Sequence, residues 1–78
     1  MSRYYIDTAD DATFDMDEEG QDLPSHQALH ALIRRTLGAM VKHDTRHRPE
    51  TTFSAIVRDE GGRTVLTGHI RITIVGEE

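Results

Sequence analysis

The stretch from Ser25 to about Asp44 constrains the fold more than any other part of the chain. At 100° per residue, Ala28, Leu29, Leu32, Ile33, Thr36, Leu37, Ala39, Met40 and Val41 gather on one broad side. Gln27, Ala31, Arg34, Arg35, Gly38 and Lys42 gather on the other. That is the period of an amphipathic helix whose wide apolar face something else in the chain must cover. Such a helix runs about 30 Å, roughly the width of a small domain. Both ends are marked. Leu23-Pro24-Ser25 halts an extended segment, offers Ser25 as an N-cap and lets Leu23 fold back on Leu29. At the far end Arg46, His47 and Arg48 lie near the negative pole of the helix dipole, and Pro49 forbids continuation. Gly38 is the weak position, since glycine in an exposed helix interior costs about 1 kcal/mol relative to alanine.

The remaining segments read as hairpins. Arg3 to Thr8 has the aromatic and β-branched content of a strand, with Tyr4 and Ile6 on one face and Arg3, Tyr5 and Asp7 on the other. Asp10 and Asp11 carry turn chemistry. Ala12 to Asp17 is expected to return as a second strand with Phe14 and Met16 pointing inward, and Gly20 to take the positive φ that turns the chain toward the helix. Thr51 to Asp59 reads as a third strand, and Asp59-Glu60-Gly61-Gly62-Arg63 as a hairpin turn. Thr64 to Val75 is the longest strand. Leu66, Gly68, Ile70, Ile72 and Ile74 share one of its faces, and Val65, Thr67, His69, Arg71, Thr73 and Val75 share the other, which is half polar.

The order β-β-α-β-β predicts an α+β fold: a four-stranded, mostly antiparallel sheet with one long helix packed on one face. Phe14, Met16, Ile70 and Ile72 are expected to supply the sheet side of the core. The pattern leaves strand order open. One small domain is expected over residues 1–78, frayed at 1–2 and 76–78.

With 78 residues the chain buries a modest core, because a domain of this size hides only about 60% of its unfolded surface. It has no cysteine, so neither a disulfide nor a thiolate metal site staples it. Small scaffolds without staples rely on tight packing or on a second copy, which makes self-association an expectation. No apolar run is long enough for a signal peptide or a membrane span, and a cytoplasmic location is the default. The net charge of −5 hides an asymmetry. Residues 1–25 hold eight acids against Arg3, whereas residues 26–50 hold Arg34, Arg35, Lys42, Arg46 and Arg48 against Asp44 and Glu50. Opposed lobes of this kind can pair within the fold, between copies, or with a charged partner.

Several phrases of the chain resemble a known family. Arg3-Tyr4-Tyr5-Ile6, the acidic Asp17-Glu18-Glu19-Gly20 followed by Leu23-Pro24-Ser25, and the hairpin Arg58-Asp59-Glu60-Gly61-Gly62-Arg63-Thr64-Val65-Leu66 are similar to a family of short bacterial proteins abundant in rhizobia and their relatives. The likeness spans nearly the whole chain. It implies a domain of unknown function and carries no activity with it. The histidines and Gly38 depart from the family pattern, so any role for them would be peculiar to this member.

Those histidines are numerous. His26 and His30 stand four apart on the helix, as do His43 and His47 on the expected helical spacing, close enough for two imidazoles to reach one ion. The pairs lie too far apart to share a site, and Asp22 or Asp44 would be the nearest further ligand. Solvated helix-end histidines are the simpler reading. Asp15-x-Asp17-x-Glu19-Gly20 matches the first half of a calcium loop, but the ninth position is Leu23 and the twelfth, where a bidentate Glu belongs, is His26. A solvated turn explains it as well. No catalytic, cofactor-binding or metal residue is assigned. A nucleophile elbow and a Gly-rich phosphate loop are both missing, and a chain this short leaves little room for a cleft of about 300 Å³. The expectation is a small non-enzymatic protein–protein interaction or regulatory module that self-associates, without cofactor or membrane partner. Its rival is a nucleic-acid-associated regulator using the basic helix face of Arg34, Arg35, Lys42, Arg46 and Arg48. The acidic first hairpin, which repels phosphate, argues against it.

Overall fold

The structure, a computed structural model, describes residues 2–76. Strand β1 (Ser2–Ala9) is followed by β2 (Phe14–Asp15), β3 (Gln21–Leu23), helix α1 (His26–His43), β4 (Glu50–Arg58) and β5 (Thr64–Thr73). The sheet is antiparallel throughout, in the order β2-β1-β4-β5, and β3 joins the first half of β1 on the same side as β2. An α+β fold with one long helix on an antiparallel sheet is thus what the chain adopts. The expected fraying of Met1 and of the last two residues lies outside the described residues. Ser2, expected to fray as well, is instead the first residue of β1 and pairs with Leu23.

The helix begins where its signal lies and ends at His43, short of Arg46, His47, Arg48 and Pro49. Ser25 is the N-cap, its hydroxyl accepting the Ala28 amide at 3.2 Å, and Asp44 is the C-cap, its amide donating to the Val41 carbonyl at 3.3 Å. Leu29, Ile33 and Leu37, one turn apart, are buried against Phe53, Ala55 and Val57 of β4. Tyr4, Ile6, Leu23, Leu66, Ile70 and Ile72 pack around them half-buried. The fully apolar stripe is therefore narrower than the wheel suggests, and Ala39 lies in solvent. Gly38 does not mark a close approach, because nothing lies within 4 Å of where its Cβ would stand. Close approach occurs at Gly68, where a Cβ would sit 2.7 Å from Cγ2 of Ile33.

Two expectations about the first hairpin fail. The return strand is only Phe14–Asp15, and Phe14 and Met16 are 58% and 59% exposed. The two side chains do share a face, but it is the one turned away from the helix. Asp10 Oδ1 accepts the amides of Ala12 and Thr13 at 2.7 and 2.9 Å, closing a tight turn that sets Ala9 opposite Phe14 and Thr8 opposite Asp15. Through β4 and β5, Ala9 continues to Ser54 and His69, whereas Thr8 continues to Ala55 and Gly68 under the helix. Phe14 therefore faces away from α1, because a shift of one residue reverses every side chain of a strand. The third strand of the chain, β3, is an element that the sequence pattern does not predict. Gly20 at φ +70° supplies the turn that brings it against β1.

The second hairpin follows expectation. Gly62 takes φ +85°, and Asp59 Oδ1 accepts the Gly61 and Arg63 amides, each at 2.9 Å. The molecule is slender for its length, with a radius of gyration of 14.0 Å and extents of 53 × 22 × 18 Å. A compact chain of this length would give about 11.5 Å.

Candidate functional site

The two edges of the sheet differ in kind. Along the outer edge of β1, β3 pairs with Ser2, Arg3 and Tyr4, and β2 pairs with Thr8 and Ala9. Asp17 closes the gap between them, its Oδ2 accepting the Ile6 amide at 3.0 Å while Oδ1 accepts those of Glu19 and Gly20, each at 3.1 Å. Burial pushes the Asp17 carboxyl upward, but these backbone donors outweigh it and hold the group below its usual range. Short, acidic, interrupted strands are a recognised way to blunt an edge against unwanted pairing.

Beneath that edge lies a polar cluster. Asp7, 4% exposed, accepts from Nε and Nη2 of Arg58 at 2.6 and 3.0 Å and from the Asp17 amide at 3.0 Å. The Arg58 guanidinium also donates to the Asp17 carbonyl at 3.0 Å and lies 5.2 Å from the centre of the Tyr5 ring. Hydrogen bonding from Arg58 holds the Asp7 carboxyl low against the opposing pull of burial. A general acid or base needs a free proton site with a pKa near the working pH. Asp7 has neither, so the cluster pins β1, β4 and the Asp17 turn together. This pair is not legible in the sequence. An acid in mid-strand hinted at a partner, but Arg58 lies 51 residues away and only the β1–β4 register brings it alongside.

Strand β5 forms the other edge, and among the described residues no strand pairs with its outer side. The Ile74 amide donates to the Pro49 carbonyl at 2.7 Å, extending the register that pairs Thr73 with Glu50. Backbone groups alternate direction along a strand. Those of Leu66, Gly68, Ile70 and Ile72 therefore point toward β4, and those of Thr67, His69, Arg71 and Thr73 point away from the sheet. Neither proline nor acid interrupts β5. Its side chains alternate too: Leu66, Gly68, Ile70 and Ile72 turn toward the helix, half-buried, and the outward set is exposed. Between α1 and this edge lies a cavity of about 330 Å³ lined by Arg34, Leu37, Gly68, His69 and Ile70. Arg71 is ion-paired to Glu50.

The charged and histidine groups singled out above are scattered. Arg46 bridges Asp10, with Nη2 to Oδ2 at 2.8 Å, and Asp44, with Nε to Oδ1 at 3.0 Å, so one link between the opposed charge lobes is made inside the fold. Arg46 holds both carboxyls low, with the Ala12 and Thr13 amides adding to the effect at Asp10. The basic set is divided accordingly: Arg34, Arg35, Lys42 and Arg48 are exposed, and Arg46 is engaged. His26 and His30 are exposed on the first turns of α1. The helical spacing expected of His43 and His47 does not exist, because α1 ends at His43 and His47 stands at φ 54° in the connection to β4. Asp17 of the calcium-like stretch serves backbone amides, Leu23 lies in β3 and His26 opens the helix. Among the described residues, no group of three or more His, Asp or Glu side chains is placed to hold a metal ion. No helix among them is long and apolar enough to cross a membrane.

The family model described as Domain of unknown function (DUF6894) matches residues 3–71. The chain belongs to that family. No curated protein and no solved structure matches the chain. The family description assigns no activity, so function rests on geometry. The matched stretch takes in the helix, the Asp7–Arg58 pair and β5 as far as Arg71, and it stops short of Thr73 and the exposed Ile74.

Proposed function

We propose that the chain is a single non-enzymatic interaction domain that engages a protein partner by strand addition to β5, self-association included. The contrast between the sheet edges carries this reading. One edge is capped by β2, β3 and the Asp17 carboxylate. The other leaves the amides and carbonyls of Thr67, His69, Arg71 and Thr73 facing outward beside a cavity lined by Leu37 and Ile70 together with Arg34 and His69. Added strands gain affinity from main-chain hydrogen bonds and selectivity from pockets for alternate side chains, and this edge offers both. A cytoplasmic setting, expected from the sequence, belongs to the same reading. The nucleic-acid alternative keeps Arg34, Arg35, Lys42 and Arg48 exposed but has Arg46 engaged by Asp10 and Asp44.

Amide hydrogen exchange tests the proposal. In dilute protein the four outward amides exchange quickly, and those of Gly68, Ile70 and Ile72 slowly. In concentrated protein, or with a protein that co-purifies from the native cell, the outward amides become protected as a set. A bound partner that leaves them exchanging as in the dilute protein overturns strand addition.

A further inference from the structure

Resting on that reading, we infer that the strand added to β5 is β5 of a second copy, antiparallel about a two-fold axis at Ile70. The outward residues are symmetric about this point. Thr67 then lies opposite Thr73 of the partner subunit, and His69 opposite Arg71 of the partner subunit, so every outward amide and carbonyl meets another. A shift by one residue would set outward groups against groups already bonded to β4.

The face under the helix is complementary in the same register. Leu66 meets Ile74 of the partner subunit, Gly68 meets Ile72 of the partner subunit, and Ile70 meets its own symmetry mate. The stripe holds no polar side chain. Gly68 lines the open cavity between α1 and the strand, and in this register Ile72 of the partner subunit faces that opening from the edge side. Ile74, 65% exposed at the end of the sheet, gains cover from Leu66 of the partner subunit. On the opposite face Arg71 arrives with its charge already balanced by Glu50.

The chain presents 5636 Å² to solvent, above the roughly 4,800 Å² usual for a folded monomer of its mass, as its slender outline requires. Pairing β5 with the opposite edge of another copy would propagate into an open fibre. That edge, broken into β2 and β3, offers no matching row of free groups.

Sedimentation and cross-linking of the full chain decide the matter. At tens of micromolar the wild type should sediment at twice 8.8 kDa. The chain has no cysteine, so introduced thiols report without background. Oxidised Ile70→Cys should cross-link between copies, because a non-hydrogen-bonded antiparallel pair holds its Cα atoms about 4.5 Å apart, within disulfide reach. Thr67→Cys should not, since its symmetry mate lies about 20 Å along the strand at the usual rise per residue. His69→Pro removes an outward amide at an edge that tolerates proline, and it should sediment as a folded single copy by circular dichroism. A wild type that stays at 8.8 kDa overturns the self-pairing, and strand addition of a different protein then stands or falls on the exchange experiment. A dimer that cross-links through Thr67→Cys but not Ile70→Cys, or that survives His69→Pro, overturns the register.

Discussion

Gly68 and Gly38 look alike in the sequence, each a glycine inside a regular element, yet their surroundings oppose one another. A Cβ at Gly68 would stand 2.7 Å from Ile33 Cγ2 and 3.4 Å from Leu37 Cδ1. Ile33 is buried in a helix, where a β-branched side chain has essentially one rotamer, so its methyl cannot swing aside. Gly68→Ala should therefore lower stability by about 1–3 kcal/mol through overpacking, the strand entropy gained by alanine offsetting part of it. Gly38 meets nothing and has no left-handed torsion. Gly38→Ala should raise stability by about 1 kcal/mol, the ordinary difference in helix propensity. Thermal unfolding of the two variants beside the wild type checks both signs, and a stabilising Gly68→Ala would mean that helix and strand stand further apart than described.

At the scale of elements, the sequence announces whatever depends on local chemistry. The start of the helix follows from Ser25, and the second hairpin from Asp59 and its paired glycines. Ser25→Ala should cost about 1 kcal/mol, because the Ala28 amide loses its acceptor at the end of the helix. Circular dichroism during urea unfolding reads that loss. What the sequence hides depends on register. The alternation of Phe14 and Met16 is visible, but which face they share is fixed by how many residues Asp10 closes into its turn. The sheet hydrogen bonds of β3 come from three polar-flanked residues too few to show a period. The open edge is half legible. The two faces of β5 appear in its alternation, but that β5 rather than β1 or β4 ends the sheet depends on a strand order no pattern specifies. The Asp7–Arg58 pair fails to appear for the same reason.

Across the whole molecule the carboxylates act together. Asp7 and Asp10 are held low chiefly by Arg58 and Arg46, Asp44 by Arg46, and Asp17 by backbone amides that outweigh its burial. In the unfolded chain these groups titrate near the ordinary value of 3.8, so below that pH the unfolded state binds more protons than the folded one. Stability from this source is complete at neutral pH and is lost as the pH falls through about 4 and below. Urea midpoints should be flat from about pH 7 to 5 and then fall steeply toward pH 3. Removing one member separates this cause from general charge repulsion. Asp7→Ala strands a guanidinium and should cost about 3 kcal/mol at pH 7, within the range for a broken buried pair. Its own share of the acid loss is then absent, so the difference between the pH 7 and pH 3 midpoints should shrink relative to wild type. An unchanged difference would place the acid sensitivity in the other carboxylates and leave Asp7 a packing role. The open edge holds none of these groups, because β5 contains no carboxylate. A change in sedimentation between pH 7 and pH 5, with the urea midpoint constant, would therefore belong to contacts at that edge and not to the acid-sensitive side of the sheet.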